Sequence, residues 1–178
     1  MMSIYRKLPN ILITGTPGTG KSTLCSEISE ISGFEWLNVG EIAKADHMYD
    51  GHNDITQCPV IDEEQMINEL EDKIADGGKI IDYHGCDFFP QHWFDIVFIL
   101  RTNSTTLYNR LVARGYRGQK LENNIQCEFF QTLIDEARGS YNNKIVYELP
   151  SNTPDDMEDN VEKICQWINQ WKMQNGHG

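Results

Sequence analysis

The sequence predicts an α/β fold in which one parallel sheet is covered by helices on both faces. Two observations predict this class. Short apolar runs alternate with segments of helical periodicity along the 178 residues, and a glycine-rich loop joins the first run to the first helical segment. Such alternation is typical of parallel sheets, whose strands are connected by crossover helices. Ligands of these sheets bind at the carboxyl ends of the strands.

Five apolar runs have the length and composition of buried strands. ILIT directly precedes the glycine-rich loop, FEWLNV follows the first helical segment, and KIIDY contains an acid near its end. DIVFIL and IVYEL complete the set. The predicted strands are residues 11–14, 34–39, 79–83, 95–100 and 145–149.

The intervening segments carry two kinds of helix signal, apolar spacing and end signals. Asp62 with Gln65 forms a capping-box pattern, and a pair of glycines ends that helix. Ser104 is the predicted N-cap of the next helix, and Thr153 followed by Pro154 opens the last one. The predicted helices are residues 21–32, about 62–75, 104–114, 123–141 and 154–171, and the fourth is expected to be continuous.

Composition restricts the possible partners. The net charge is −12, from 15 basic and 27 acidic residues. Such a surface repels nucleic-acid phosphates, so strong direct binding to DNA or RNA is not expected, and a basic protein is the more natural macromolecular partner. No apolar run approaches the roughly 20 residues that span a bilayer, so no membrane association is expected. Five scattered cysteines without C-x-x-C spacing indicate reduced thiols in a cytosolic or nuclear protein.

The glycine-rich loop is GTPGTGKS, residues 15–22, a full match to G-x-x-x-x-G-K-[ST]. Its backbone N–H groups are expected to surround phosphate oxygens, with Lys21 at the β- and γ-phosphates and Ser22 on Mg²⁺. The bland alternative is a strand-to-helix turn with a chance lysine, but the loop lies in the strand–loop–helix context that the motif requires. The sequence has no N-K-x-D motif, which argues against guanine specificity.

The stretch DYHGCDFF, residues 82–89, supplies a second candidate site. Asp82 ends an apolar run, so it is expected beside the phosphate loop, where it can hold Mg²⁺ directly or through water. A plain strand-end aspartate is the alternative. His84 is expected to face the same side, where it can position or deprotonate water, contact a phosphate, or pack under Phe88 and Phe89.

Strings along most of the chain carry a resemblance. GTPGTGKST, NVGEIA, MYDG, CPVIDEE, DYHGCDFFP, LRTNS, YNRLVARGY, NIQCEFFQ and LPSN occur in order, followed by a Trp-rich helix. Together they resemble the adenylate kinase isoenzyme 6 family, also called the coilin-interacting nuclear ATPases. The resemblance implies a P-loop nucleoside monophosphate kinase fold with strand order 2-3-1-4-5. It also implies a single domain over residues 1–178, phosphoryl transfer from ATP to AMP giving ADP, and ATPase activity.

The same resemblance implies a cellular role. Members of this family are implicated in small ribosomal subunit assembly and small-subunit rRNA maturation, through a small-subunit ribosomal protein with a basic tail. They occur in the nucleus and the cytoplasm. Three readings stay open: a phosphotransferase with side hydrolysis, an assembly ATPase for which AMP is incidental, and a binding module controlled by ATP occupancy.

By position, the resemblance assigns candidate residues to each substrate. The monophosphate-binding segment corresponds to about 38–61 and the lid to about 113–123. The ATP-binding candidates are Gly18, Thr19, Gly20, Lys21, Ser22, Thr23, Arg110 and Arg114, and the acceptor candidates are Gly40 and Lys44. Lys21, Asp82, His84 and Arg114 are the expected catalytic residues, with Ser22 and Asp82 as ligands of the Mg²⁺ that accompanies ATP.

The two arginines and the acceptor segment raise further points. Arg110 and Arg114 lie at i and i+4, so one helix face presents two guanidinium groups to phosphates, unless they make ordinary surface ion pairs. Most adenylate kinases carry D-G-F-P-R where this chain has D-Y-H-G-C-D, and the acceptor segment offers Lys44 but no arginine. A lysine gives a point charge rather than a fork. With a short lid, hydrolysis is expected to compete with transfer.

Overall fold

A computed structural model describes residues 6–53, 58–129 and 131–175. The strands are β1 (Ile11–Thr14), β2 (Glu35–Asn38), β3 (Tyr49–Asn53), β4 (Cys58–Ile61), β5 (Lys79–Tyr83), β6 (Ile96–Arg101) and β7 (Val146–Pro150). The helices are α1 (Lys21–Ser32), α2 (Val39–Ala45), α3 (Glu63–Asp76), α4 (Ser104–Ala113), α5 (Gly118–Phe129), α6 (Thr132–Ser140) and α7 (Pro154–Gln174).

Five strands form a parallel sheet in the order β2-β5-β1-β6-β7. Counted along the chain without the two hairpin strands, this order is 2-3-1-4-5, so the predicted α/β fold and its topology are confirmed. Asp82 of β5 pairs with Ile13 of β1 and with Asn38 of β2. The register therefore places the end of β5 between the phosphate loop and the start of α2.

The sheet is buried on both faces. Leu12 and Ile81 contribute to one core cluster with residues of α2, α3 and α6, whereas Ile11, Ile13 and Ile80 contribute to another with residues of α1 and α7. Successive residues of a strand point to opposite faces, so a strand between two helix layers must be apolar at every position. This explains why the central strands read as continuous apolar runs.

Several predicted element ends are confirmed. Asp62 caps α3 by accepting a hydrogen bond from the Gln65 N–H at 3.1 Å. Thr153 and Asp156 form a full capping box at the start of α7, with Pro154 in its first turn. The Asx and Thr side chains satisfy backbone N–H groups that have no partner within the helix.

Other predicted elements are wrong. The helix expected over residues 123–141 is two helices, because Gln131 adopts a left-handed conformation, with φ of 58°, between α5 and α6. Asn103, not Ser104, caps α4, and its side chain accepts from the Thr106 N–H at 2.9 Å. The segment 34–39 is strand only to Asn38, which caps an unpredicted α2.

The segment predicted to bind the monophosphate contains structure that the sequence reading did not identify. After α2, strands β3 and β4 form an antiparallel pair with an irregular register between Tyr49 and His52. Residues 54–57 of the predicted segment lie outside the described residues. Within the described ranges no helix is long and apolar enough to cross a membrane.

Candidate active site

A cleft of about 280 Å³ opens at the carboxyl ends of β1, β2 and β5. It brings together residues that are distant in the sequence: the phosphate loop, the end of β5, the start of α2 and the segment after α4. Its lining includes the predicted Gly18, Gly20, Lys21, Ser22, Gly40, Asp82, His84 and Arg114, together with Pro17, Asn38, Tyr83, Tyr116 and Asn124. This is the edge at which parallel sheets bind ligands.

Backbone geometry fixes the phosphate loop. Gly18 and Gly20 have φ values of 92° and 93°, a region that L side chains rarely adopt. A Cβ on Gly18 would lie 3.0 Å from methyl groups of Leu107 and Leu111, so the loop packs closely against α4. The Thr19 hydroxyl donates to the Thr16 carbonyl at 2.8 Å. These contacts hold the loop in its curled shape.

Lys21 lies at the base of this loop. Its Nζ donates to the carbonyl oxygens of Gly15 and Thr16, at 2.8 and 3.2 Å. Burial lowers the pKa of Lys21 to about 8, against the opposing attraction of Asp82. Phosphate oxygens would restore a favourable environment for the ammonium group, because opposite charge favours the protonated form.

Asp82 faces Lys21 from the end of β5 and is 3% exposed. Its Oδ2 accepts a hydrogen bond from Trp36 Nε1 at 3.1 Å, and the Ser22 hydroxyl is near enough to favour the charged carboxylate. Burial raises the pKa of Asp82, whereas Lys21, Trp36 and Ser22 oppose that rise. A carboxylate beside a hydroxyl offers the hard oxygen ligands that Mg²⁺ prefers.

His84 lies just beyond β5, at the edge of the cleft. Its ring is 4.3 Å from that of Tyr83, and it is Tyr83 that contacts Phe88 and Phe89. The cleft walls, with Lys21 nearby, lower the pKa of His84 to about 4, although the residue as a whole is exposed to solvent. At neutral pH the imidazole is therefore neutral and has one acceptor nitrogen.

The two predicted arginines have different environments. Arg110 donates to the carbonyl oxygens of Gly18, Ser151 and Asn152, at 3.2, 2.9 and 3.2 Å. It thus bridges the phosphate loop and the loop after β7. Arg114 is exposed and lines both the main cleft and its neighbour. Of the two, Arg114 is the guanidinium exposed at the surface of the main cleft.

A second cleft of about 510 Å³ adjoins the first across Gly18, Gly20 and Arg114. Its walls come from α1, α4 and the start of α7, including Thr23, Arg110, Ser151, Thr153, Pro154 and Met157. The Ser151 hydroxyl donates to the Thr19 carbonyl. This cleft shares Gly18, Gly20 and Arg114 with the main cleft but not Asn38 or Gly40 at the start of α2.

Of the two acceptor candidates, only one lies in the main cleft. Among the residues that the structure describes, Gly40 lines the main cleft, whereas Lys44 is exposed near the end of α2, outside that lining. Asn38 lines the cleft and caps α2 by accepting from the Glu41 N–H at 3.1 Å. The sequence reading missed Asn38, although an Asn three residues before a Glu is a recognisable helix-start signal.

Trp36, Tyr116 and Asn124 are further site residues that the sequence reading missed. Trp36 contacts Asp82, and the other two line the main cleft from the segment after α4 and from α5. Trp36 lies in no motif, whereas Tyr116 ends the string YNRLVARGY and Asn124 begins NIQCEFFQ, but nothing local in those strings marks either one as a cleft residue. They reach the site only through the register of β2 with β5 and the packing of α5.

These features define a P-loop kinase. The chain matches a family described as "AAA domain" over residues 11–131. In fold it is similar to the shikimate kinase of Acinetobacter baumannii, with a TM-score of 0.62 at 19% identity over 93% of this chain and 95% of that one. It is also similar to a gluconokinase of Sinorhizobium meliloti, with a TM-score of 0.57 at 12% identity over 96% and 99%.

Similarity to curated proteins is more specific. The chain is 46% identical to the adenylate kinase isoenzyme 6 homolog of Drosophila melanogaster, over 92% of this chain and 94% of that protein. It is 44% identical to the homolog of Dictyostelium discoideum, over 98% and 99%. The chain belongs to the adenylate kinase isoenzyme 6 family, which confirms the resemblance found in the sequence. It is therefore an enzyme of the kinase and ATPase class.

Proposed function

We propose that this protein transfers the γ-phosphoryl group of ATP to AMP, forming two ADP, and hydrolyses ATP when no acceptor is bound. The observation that carries the proposal is a phosphate loop whose Lys21 faces Asp82 across one cleft, with Arg114 at its edge. The names of the relatives support the choice of adenine nucleotides. Phosphoryl transfer requires mainly positioning and charge stabilisation, and these residues can supply both.

On the ATP side, the loop N–H groups from Gly18 to Thr23 bind the phosphates, and the adjoining cleft takes the nucleoside. Lys21 exchanges its two carbonyl partners for phosphate oxygens. Arg114 stabilises charge on the transferring group, and Arg110 acts by holding the phosphate loop against Ser151. Donors already aimed at developing charge need no reorganisation during the reaction.

Ser22 and Asp82 would hold Mg²⁺. Their hydroxyl and carboxylate oxygens line the same cleft beside the phosphate loop, and both are hard oxygen ligands, so the residues fit this ion. When bound, Mg²⁺ neutralises charge on the β- and γ-phosphates.

On the acceptor side, Gly40 and Asn38 at the start of α2 bound the cleft, and Lys44 supplies charge from further along the helix. His84 is proposed to hold an attacking water through its neutral imidazole when AMP is absent. This arrangement gives AMP few charged contacts, so water competes for the phosphoryl group.

We further propose that the enzyme acts in small ribosomal subunit assembly and small-subunit rRNA maturation, in the nucleus and cytoplasm, through a ribosomal protein with a basic tail. The net charge of −12 supports a basic partner. A second candidate function is an assembly ATPase for which AMP is incidental. The small number of charged groups on the acceptor side supports this second candidate, because AMP would have few residues to bind it.

The test is the rate of ADP formation from Mg·ATP with and without AMP, beside Lys21→Ala, Asp82→Ala and His84→Gly. Phosphotransfer predicts that AMP raises the rate well above hydrolysis, that the first two variants are inactive, and that His84→Gly loses hydrolysis preferentially. A rate that AMP leaves unchanged would refute the kinase reading and favour the ATPase. Addition of a basic-tailed small-subunit ribosomal protein then tests whether that partner alters hydrolysis.

A further inference from the structure

Trp36 lies outside the phosphate loop and outside every motif found in the sequence, yet its indole reaches the centre of the site. Its Nε1–H donates to Asp82 Oδ2 at 3.1 Å. Asp82 is 3% exposed, so its oxygens depend on protein partners for orientation. Trp36 is thus one of the groups that determine how this carboxylate is presented.

Two restraints hold the indole in place. In the sheet, Trp36 pairs with Ile80 and Asn38 pairs with Asp82, so the ladder between β2 and β5 sets the position of the ring relative to the carboxylate. The half-buried ring also packs against the core cluster on the α1 and α7 face. Because strand pairing and core packing both restrain the indole, its Nε1–H can donate to Asp82 from a fixed position.

The chemistry of the donor is also informative. An indole N–H donates one hydrogen bond and carries no net charge. It therefore orients Oδ2 without neutralising the carboxylate, whereas a lysine in this place would compete electrostatically with a bound cation. With Oδ2 engaged, Oδ1 is the oxygen with more freedom to ligate a metal ion.

We propose that Trp36 is a positioning residue for the Mg²⁺ of the nucleotide complex, and that it acts by fixing the orientation of Asp82. The inference rests on the proposed function, because it assumes that Asp82 serves this metal. Groups that orient metal ligands are commonly worth about 10- to 100-fold in metal affinity or activity. We expect an effect at the lower end, about 10-fold, because the nearby Ser22 hydroxyl also favours the charged form of Asp82.

The experiment measures Mg²⁺ affinity rather than turnover. A non-hydrolysable ATP analogue is titrated into wild type and Trp36→Phe by calorimetry, in EDTA and over a range of MgCl₂ concentrations. Trp167→Phe is the matched control, since Trp167 is half-buried against the same core cluster. In EDTA, we expect Trp36→Phe to bind the analogue with the affinity of wild type. To reach the increase in affinity that Mg²⁺ gives wild type, the variant should need about 10-fold more Mg²⁺. Trp167→Phe should match wild type.

A second measurement covers the case in which Trp36→Phe does not fold. The indole N–H signals of ¹⁵N-labelled wild type are followed while MgCl₂ is added to the analogue complex, and the Trp36 signal is assigned by Phe substitution of the other tryptophans. The Trp36 signal should move and the Trp167 signal should stay. Equal Mg²⁺ requirements in wild type and Trp36→Phe, or an unmoved Trp36 signal, would overturn the inference.

The same assay tests the proposed role of Asp82 separately from that of Trp36. Wild type must bind the analogue more tightly with Mg²⁺ than in EDTA, and Asp82→Asn must lose that gain. If wild type shows no gain, or if Asp82→Asn keeps it, the assignment of Asp82 to the metal is wrong. A Mg²⁺ gain that depends on Asp82 but not on Trp36 refutes only the role of Trp36.

Discussion

The two halves of the main cleft differ in how completely the protein prepares them. On the ATP side, Lys21 and Arg110 make defined hydrogen bonds to loop carbonyl groups, and the loop packs on α4. On the acceptor side, the short α2 carries an exposed Lys44 and supplies Gly40 to the cleft wall. Under the function proposed above, protein contacts organise the side that binds ATP, whereas recognition of the acceptor depends on few charged contacts.

The largest effect is expected when Lys21, the half-buried cation of the ATP side, is removed. Lys21→Met should reduce both AMP phosphorylation and ATP hydrolysis by about 10²- to 10³-fold, the usual loss for one donor aimed at developing charge. Steady-state ADP formation measures both reactions. Lys163→Met, at an exposed position of α7, is the control and should keep full activity. A Lys21→Met enzyme with more than a tenth of normal activity would contradict the contrast.

The next test concerns α5, which lines the main cleft through Asn124. Glu128 of α5 is 5% exposed, and its carboxylate pairs with Arg101 at 2.8 Å, which ties the helix to the end of β6. Glu128→Ala should lower the free energy of unfolding by about 3 kcal/mol, because it leaves a partly buried guanidinium without this partner. Equilibrium urea denaturation measures the loss.

Glu148 provides the matched control for this prediction. It contacts the same Arg101 at 3.2 Å, but its side chain is 42% exposed. Glu148→Ala should cost less than about 1 kcal/mol, as exposed ion pairs do. Equal losses in the two variants would show that burial does not distinguish these contacts.

A smaller effect is expected in the pH dependence of stability. Lys21 has a pKa of about 8 in the folded protein, against 10.5 as its ordinary value, and burial is the main cause. The unfolded chain therefore binds more protons than the folded one between these values, so this group makes stability increase as the pH rises from about 8 to 10.5. The full difference corresponds to about 3 kcal/mol, and partial exposure reduces our expectation to about 1–2 kcal/mol.

Comparison of wild type with Lys21→Met isolates this contribution, since other titrating groups are shared. Between pH 7.5 and pH 10.5, the unfolding free energy of wild type should increase by about 1–2 kcal/mol relative to that of Lys21→Met. A constant difference across the range would mean that the folded site does not disfavour the ammonium form.

The smallest effect is expected on the acceptor side. Lys44→Ala should raise the KM for AMP about twofold, because an exposed point charge contributes little, roughly 0–1 kcal/mol. Initial rates at fixed Mg·ATP measure it, with Lys73→Ala on the exposed face of α3 as control. A rise above tenfold would show that the acceptor half is organised around Lys44 after all.

The two sides of the cleft also differ in how well the sequence predicted their structure. The parallel sheet, the phosphate loop and the capped helices α3 and α7 were predictable, since apolar runs, a motif and end signals are local in sequence. The acceptor segment was not, because its polar residues lack periodicity, and the strands β3 and β4 are short and irregularly paired. The break at Gln131 was missed because apolar spacing continues through it.

The family and the topology followed from the amino-acid sequence, which also predicted the phosphate loop. These depend on contiguous residues, GTPGTGKS and the buried strands, whose conformations are restricted by glycine freedom and by two-sided burial. Only the tertiary structure decided that Trp36 bonds to Asp82, that Arg110 bridges two loops, and that Lys44 lies outside the cleft lining. Strand register and helix packing join positions far apart in the chain, so no local pattern could specify those contacts.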